Sequence, residues 1–259
     1  MQFIKVETRD HVTTITLDRP EVMNAINHAM HHELQDAVDT YAADPEQRVC
    51  VITGGGPRAF CAGSDLKEHA ATGSKRSYPK SGYAGLIERW DLDKPLIAAV
   101  NGLALGGGFE VALACDLIIA SENASFGLPE PLVGAVALGG GLHRLVRQIG
   151  LKPAMGLILS SRRITAAEAL RLGIANEVVS AEGLTEAVGR WCEDILRASP
   201  MSIRASKQAA MLGQNEASLA DAMRHQTAYP AWVDWQASED AREGPRAFAE
   251  KRTPVWTVR

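Results

Sequence analysis

The chain has 259 residues, 46% hydrophobic and 22% charged, enough apolar material at this length to close a core without disulfide or metal. Wholesale disorder and collagen-like structure are excluded. Its 27 basic and 31 acidic residues leave a net charge of −4, which argues against nucleic acid as the main partner, because phosphate binding needs a surplus of Lys and Arg on one face.

The first residues, MQFIKVETRDHVTTITLDRP, hold no basic segment followed by an apolar one, and no transit-peptide composition. No later apolar run is long enough to span a bilayer. The expectation is a cytoplasmic protein with no membrane association. Val12–Leu17 alternates and is β-branched, which predicts a strand stopped by Asp18-Arg-Pro20. Over 27–41, Met30, Leu34, Ala37, Val38 and Tyr41 recur at three and four, the stripe of a helix. His28 and His32 share a face of it, but no H-E-x-x-H pattern and no further ligand accompany them, so no metal site is expected. A buried strand over 49–53 runs into the turn Gly54-Gly-Gly-Pro57, and 96–100 and 117–120 read as further buried strands. Helical patterns between them make an α/β fold.

Residues 69–93 carry Gly, Ser, Pro and several aromatics and read as a mobile loop. From about residue 181 helical patterns dominate, over 184–199, 200–212 and 218–229. Cys50, Cys61, Cys115 and Cys192 are scattered with no C-x-x-C pair, so reduced, buried thiols are expected.

There is no P-loop, no G-x-G-x-x-G after a strand and no G-x-S-x-G elbow. Two segments are more informative. Ala59-Phe-Cys-Ala-Gly-Ser-Asp-Leu-Lys67 follows a strand and a glycine turn. In 101–116 a strand meets Gly106-Gly-Gly108, after which a helix opens with Glu110 in its first turns. Glycines at a helix start let a ligand approach the backbone. The free N–H groups there suit a carbonyl oxygen that gains negative charge. Glu130 follows a strand in Phe126-Gly-Leu-Pro-Glu130. Two carboxylates with apolar flanks have raised proton affinity and are fitted to acid/base chemistry.

Together these segments resemble the enoyl-CoA hydratase/isomerase (crotonase) superfamily over nearly the whole chain. The match runs from Leu17-Asp-Arg-Pro20 through 60–66, Lys94-Pro-Leu-Ile-Ala-Ala-Val-Asn-Gly102, 106–110 and 126–130 to 162–170, 173–179 and 243–252. Within the superfamily it looks most like the carnitinyl-CoA dehydratase group. The resemblance implies a crotonase-like core of repeated ββα turns over 1–195 that binds acyl-CoA and performs catalysis. It also implies a C-terminal helical region over 196–259 that assembles a homotrimer or homohexamer. No cofactor is implied beyond the coenzyme A carried by the substrate.

By motif match, the amides of Ser64 and Gly107 form the oxyanion hole for the thioester oxygen. The Ser64 hydroxyl is not a nucleophile, since no histidine base accompanies it. Ala62, Asp65 and Leu66 match the stretch that holds adenine, and Lys67 and Lys251 the charge near the CoA phosphates. Glu110 is assigned to water at the β-carbon and Glu130 to the proton at the α-carbon. Two positions depart from the common pattern. Glu21 replaces a basic residue after Arg-Pro, so phosphate contacts from that loop are expected to be weaker or made by Arg19. Ala137-Leu138 replaces a proline–glycine pair, and the leucine is expected to crowd the catalytic water.

The function expected is reversible addition of water to a 2-enoyl-CoA. A double-bond isomerase or thioester hydrolase on the same fold is the alternative, and an isomerase resting on Glu130 would survive Glu110→Gln. A non-catalytic RNA binder would need a basic helix stripe, yet 27–41 holds no Lys or Arg. For the acyl pocket the candidates are Tyr83, Trp90, Trp232, Trp235 and Trp256.

Overall fold

Strands alternate between two stacked sheets, and that alternation builds the site. The computed structural model describes residues 1–72 and 78–258. The larger sheet has the order β1-β2-β3-β5-β7-β10, made of Ile4–Arg9, Val12–Leu17, Val49–Gly54, Leu96–Val100, Leu117–Ser121 and Glu177–Val179. Only the β1–β2 pair is antiparallel. The smaller sheet has the order β4-β6-β8-β9, from Ala59–Cys61, Leu103–Leu105, Ser125–Gly127 and Ile164–Thr165. β3, β5 and β7 each hand the chain to β4, β6 and β8, and a helical segment follows each pair. These are successive ββα turns of a crotonase-type superhelix.

The buried strands are where the apolar runs place them. β5 is buried along its whole length, as expected of a parallel strand covered on both faces. β1 was not anticipated, because only Ile4 of its six residues is buried. Charged Lys5, Glu7 and Arg9 mark it as an edge. α1 (His28–Ala43) is capped by Asn27, whose side chain accepts from the Met30 amide at 2.9 Å. All five residues of its expected stripe are buried.

The 69–93 stretch departs from expectation. Residues 73–77 lie outside the described residues. Tyr83, Ala84, Leu86, Ile87 and Leu92 are buried in the main core with α1 residues. The apolar side chains scattered among the glycines and serines of 78–93 supply enough burial to anchor that part.

α7 (Leu184–Arg197) lays Leu184, Ala187, Val188 and Cys192 on the outer face of the larger sheet against Val49, Ile97 and Ile119. The boundary drawn at 195/196 therefore falls inside a helix that packs as one piece with the core. Beyond it come α8 (Pro200–Gly213), α9 (Leu219–His225), α10 (Pro230–Ala237) and α11 (Asp240–Ala249). The helix expected over 218–229 ends at His225. A 3-10 turn follows, and Pro230 restarts the helix as α10. All four cysteines are free and buried. Among the described residues no helix is long and apolar enough to cross a membrane, and no group of three His, Cys, Asp or Glu could hold a metal ion.

Candidate active site

The smaller sheet delivers its strand ends to one spot. Beyond β4, Gly63 turns with φ +95°, and a Cβ there would lie 2.9 Å from the Leu105 oxygen and 3.2 Å from the Gly107 nitrogen. The 63–64 peptide thus runs against the start of α3 (Gly107–Ala114). Ser64 forms an isolated parallel bridge with Ile26, bonded through the Gly63 oxygen and the Asp65 amide. In such a ladder the intervening residue turns its own N–H to the other side. Gly106 donates its N–H to Gly127, whereas Gly107 opens the helix, where an N–H has no intrahelical acceptor. Gly108 must lack a side chain, since a Cβ would sit 2.1 Å from the Cys61 oxygen.

Glu110, one turn into α3, is 3% exposed. Its Oε1 accepts from the Gly141 amide at 2.9 Å, and the Gly139 amide also bonds it. Burial pushes its carboxyl up to about 7; the neighbouring Glu130 charge adds to the rise, while the Gly141 and Gly139 amides and the Arg144 charge oppose it. Glu130 opens a 3-10 turn (Glu130–Val133) after β8. Its carboxyl lies over Gly106, where a Cβ would come within 3.0 Å of Oε1. Glu130 Oε2 is buried with no hydrogen-bond partner, and burial raises this carboxyl as well. A buried carboxylate oxygen left without a donor is a cost to the fold and a ready acceptor for a substrate proton.

The structure therefore brings Ser64, Gly107, Glu110 and Glu130 together. Of the residues expected to hold adenine, Ala62 donates its amide to Met23. Asp65 caps α2 (Leu66–Thr72) through the Lys67 and Glu68 amides and pairs with Arg19 at 3.0 Å. Leu66 is 54% exposed and Lys67 is exposed beside it. Lys251 is exposed on the helical tail, just past α11. Arg19 is not offered to a phosphate: it also donates to the Ala25 oxygen and lies over the Phe3 ring.

Leu138 is another correction. It is 81% exposed and its amide bonds the Val136 oxygen at 2.9 Å. Its side chain points out and does not crowd the carboxylates. The inward amides come from Gly139 and Gly141, with Arg144 beside them on α4 (Gly141–Ile149). Sequence reasoning missed this second glycine run, although Gly139-Gly-Gly141 ahead of a helix carries the same signal as Gly106-Gly-Gly108.

Of the five aromatics proposed for the pocket, only Tyr83 is seen against the site. It contacts His31 and Tyr78 with ring centroids 4.6 and 5.7 Å away. Trp90 is 71% exposed under Arg144, Trp232 and Trp235 pack on each other along α10, and Trp256 donates to the Arg197 oxygen.

The family model described as enoyl-CoA hydratase/isomerase matches residues 7–259. The chain is 43% identical to a carnitinyl-CoA dehydratase of Proteus mirabilis, over 100% of this chain and 99% of that protein. Among solved structures it is similar to an enoyl-CoA hydratase from Mycobacterium tuberculosis H37Rv, with TM-score 0.92, 38% identity and full coverage of both chains. It is also similar to a carnitinyl-CoA hydratase from Mycobacterium avium, with TM-score 0.78, 43% identity and full coverage of both.

Proposed function

The chain belongs to the enoyl-CoA hydratase/isomerase family, and from that premise we propose how its residues divide the work. It is a hydratase/dehydratase-type lyase that interconverts a 2-enoyl-CoA with its 3-hydroxyacyl-CoA. In the dehydration direction the Glu130 carboxylate takes the α-proton. The resulting enolate oxygen is held by the Ser64 and Gly107 amides. Protonated Glu110 gives its proton to the β-hydroxyl, the C–O bond breaks and water leaves. Hydration runs the same steps backwards, with Glu110 as base on water and Glu130 as acid at the α-carbon. One proton shared by two buried carboxyls serves both directions.

The observation that carries this reading is the pair itself: the Glu130 charge acts on the Glu110 carboxyl, and Glu130 lies over Gly106 with its Oε2 left without a protein donor. The Ala62–Lys67 segment then receives coenzyme A, and Lys67 and Lys251 its phosphates. Because two of these relatives are carnitinyl-CoA enzymes by name, the carnitinyl-CoA/crotonobetainyl-CoA pair is the first substrate to try, with crotonyl-CoA beside it. Loss of the conjugated thioester absorbance on either substrate is the expected result. No loss on short, medium or aromatic enoyl-CoA would overturn the reading. If the enzyme is instead an isomerase, Glu110→Gln keeps its activity.

The tail is the proposed assembly surface. Met211, Leu219, Met223, Val233 and Phe248 are exposed along α8–α11, apolar side chains that subunit contact would cover. Light scattering should give the mass of a trimer or hexamer, and a monomer at micromolar concentration would contradict it. A reducing, cytoplasmic setting fits the four free thiols.

A further inference from the structure

Tyr83 is a buried phenol that the mechanism above does not use. It is 5% exposed, and it stands over the first residue of α3: a Cβ on Gly107 would fall 2.3 Å from its Oη and from its Cζ. The Ser64 hydroxyl donates to the same Oη at 3.3 Å. Both residues whose amides grip the thioester oxygen therefore touch this one phenol, Gly107 through its bare Cα and Ser64 through its side chain.

The placement is enforced from behind. Gly82, Ala84 and Gly85 all have left-handed backbone, with φ of +75°, +55° and +59°. A Cβ on Gly85 would strike Gln35 of α1 at 2.4 Å. The Ala84 amide donates to His31 Nδ1 at 2.8 Å, and the His31 ring packs edge-on against Tyr83. A turn fixed this tightly to α1 holds the phenol oxygen where packing alone would not require one. A phenol has one proton to give. When Ser64 donates to Oη, that proton points away from Ser64. A thioester oxygen held by the amides of the two residues the phenol touches would lie beside that proton.

We infer that the Tyr83 hydroxyl is a third donor to the thioester oxygen, oriented by the Ser64 hydroxyl. The inference rests on the oxyanion hole proposed above. Tyr83 is then a catalytic residue and the Ser64 side chain a positioning one, acting through the phenol.

The test uses the full-length enzyme, Tyr83→Phe, Ser64→Ala and the double variant. Two readouts are needed: kcat and KM with crotonyl-CoA, and the red shift of a chromophoric thioester, 4-(dimethylamino)cinnamoyl-CoA, bound without turnover. Tyr83→Phe should lower kcat on the order of 10²-fold, the lower end for one oxyanion donor, with KM within about threefold, and should shrink the red shift. Ser64→Ala should lose less, and the double variant should be no worse than Tyr83→Phe, because the serine acts through the phenol. A Tyr83→Phe enzyme with unchanged kcat and red shift would make the ring a packing wall and overturn the inference. Losses that multiply in the double variant would overturn the serine's role. A wild-type enzyme that polarises the chromophore but hydrates no enoyl-CoA sinks the hydratase reading and leaves the donor standing. A wild-type enzyme that does not polarise it overturns the donor itself.

Discussion

Glu110 and Glu243 are both glutamates closed off from solvent, at 3% and 4% exposure, yet the chain treats them in opposite ways. Glu243, in α11, is wrapped in donors. Arg252 and Arg246 both bond its carboxylate, at 2.6 Å each in their shortest contacts, and the Val255 amide adds another at 2.8 Å. The Arg252 bonds, then the Val255 amide and Arg246, hold its carboxyl far below the usual range. Glu110 receives backbone amides only and faces a second carboxyl, so burial wins and its proton affinity rises. Burial alone does not set the charge of a glutamate; the number of donors it is given does. The tail neutralises its carboxylate to fasten the chain end, and the core leaves its pair short of donors, as the proton transfer proposed above requires.

The largest expected effect breaks the comparison outright if it fails. Glu110→Gln and Glu130→Gln should each lower kcat by roughly 10²–10⁴ without loss of folded protein. Glu243→Gln should do the reverse, lowering the thermal midpoint while kcat per folded enzyme stays unchanged. Steady-state kinetics beside thermal melts of the three variants decide it. A Glu243→Gln enzyme that melts normally but is inactive would mean that the tail shares in the chemistry.

A smaller effect sharpens the core half. A Cβ on Gly139 would fall 2.4 Å from Glu110 Oε2, so Gly139→Ala must push the carboxyl aside. Displacement of a reacting group by about 1 Å costs on the order of 10² in rate, and that fall in kcat is expected. An alanine enzyme with full activity would show that Glu110 tolerates movement that the mechanism forbids.

This difference was only partly legible in the sequence. Strands β2, β3, β5 and β7 and helix α1 announce themselves because each has a fully covered face, and the apolar period records it. β1, β9 and β10 do not, since short or edge strands bury too few residues to leave a period. α10 and α11 lie past the last helical pattern, at 229, and each holds a proline, Pro230 in a first turn, where it is tolerated, and Pro245 inside the helix. Glu110 and Glu130 were visible through the family pattern. Gly139 and Gly141 were not assigned because their role is a contact to a carboxyl some thirty positions earlier. The Glu243–Arg252 cluster lay inside a quoted motif, yet no local rule says that its ions point at one another.

The smallest effect is also the most diagnostic, because it has opposite signs in the two regions. Glu110 has a folded-state affinity raised from 4.5 to about 7. A carboxyl raised in this way contributes its stability while protonated, below about pH 4.5, and loses it as pH rises through about 7. Glu110→Gln should therefore match wild type near pH 4.5 and be more stable at pH 8, by at most about 3 kcal/mol from a shift of this size. Its amide oxygen can still accept from Gly141, but its NH2 then faces the Gly139 amide, and the lost bond takes back part of the gain. Glu243 is lowered, so its contribution is complete above about pH 4.5 and is lost as pH falls below that. Glu243→Gln should be less stable than wild type at neutral pH and converge on it in acid. Denaturant midpoints for wild type and both variants between pH 2 and 8 test the pair together. Two difference curves that slope the same way would show that burial governs both sites alike, and that the donors counted around Glu243 do not set its charge.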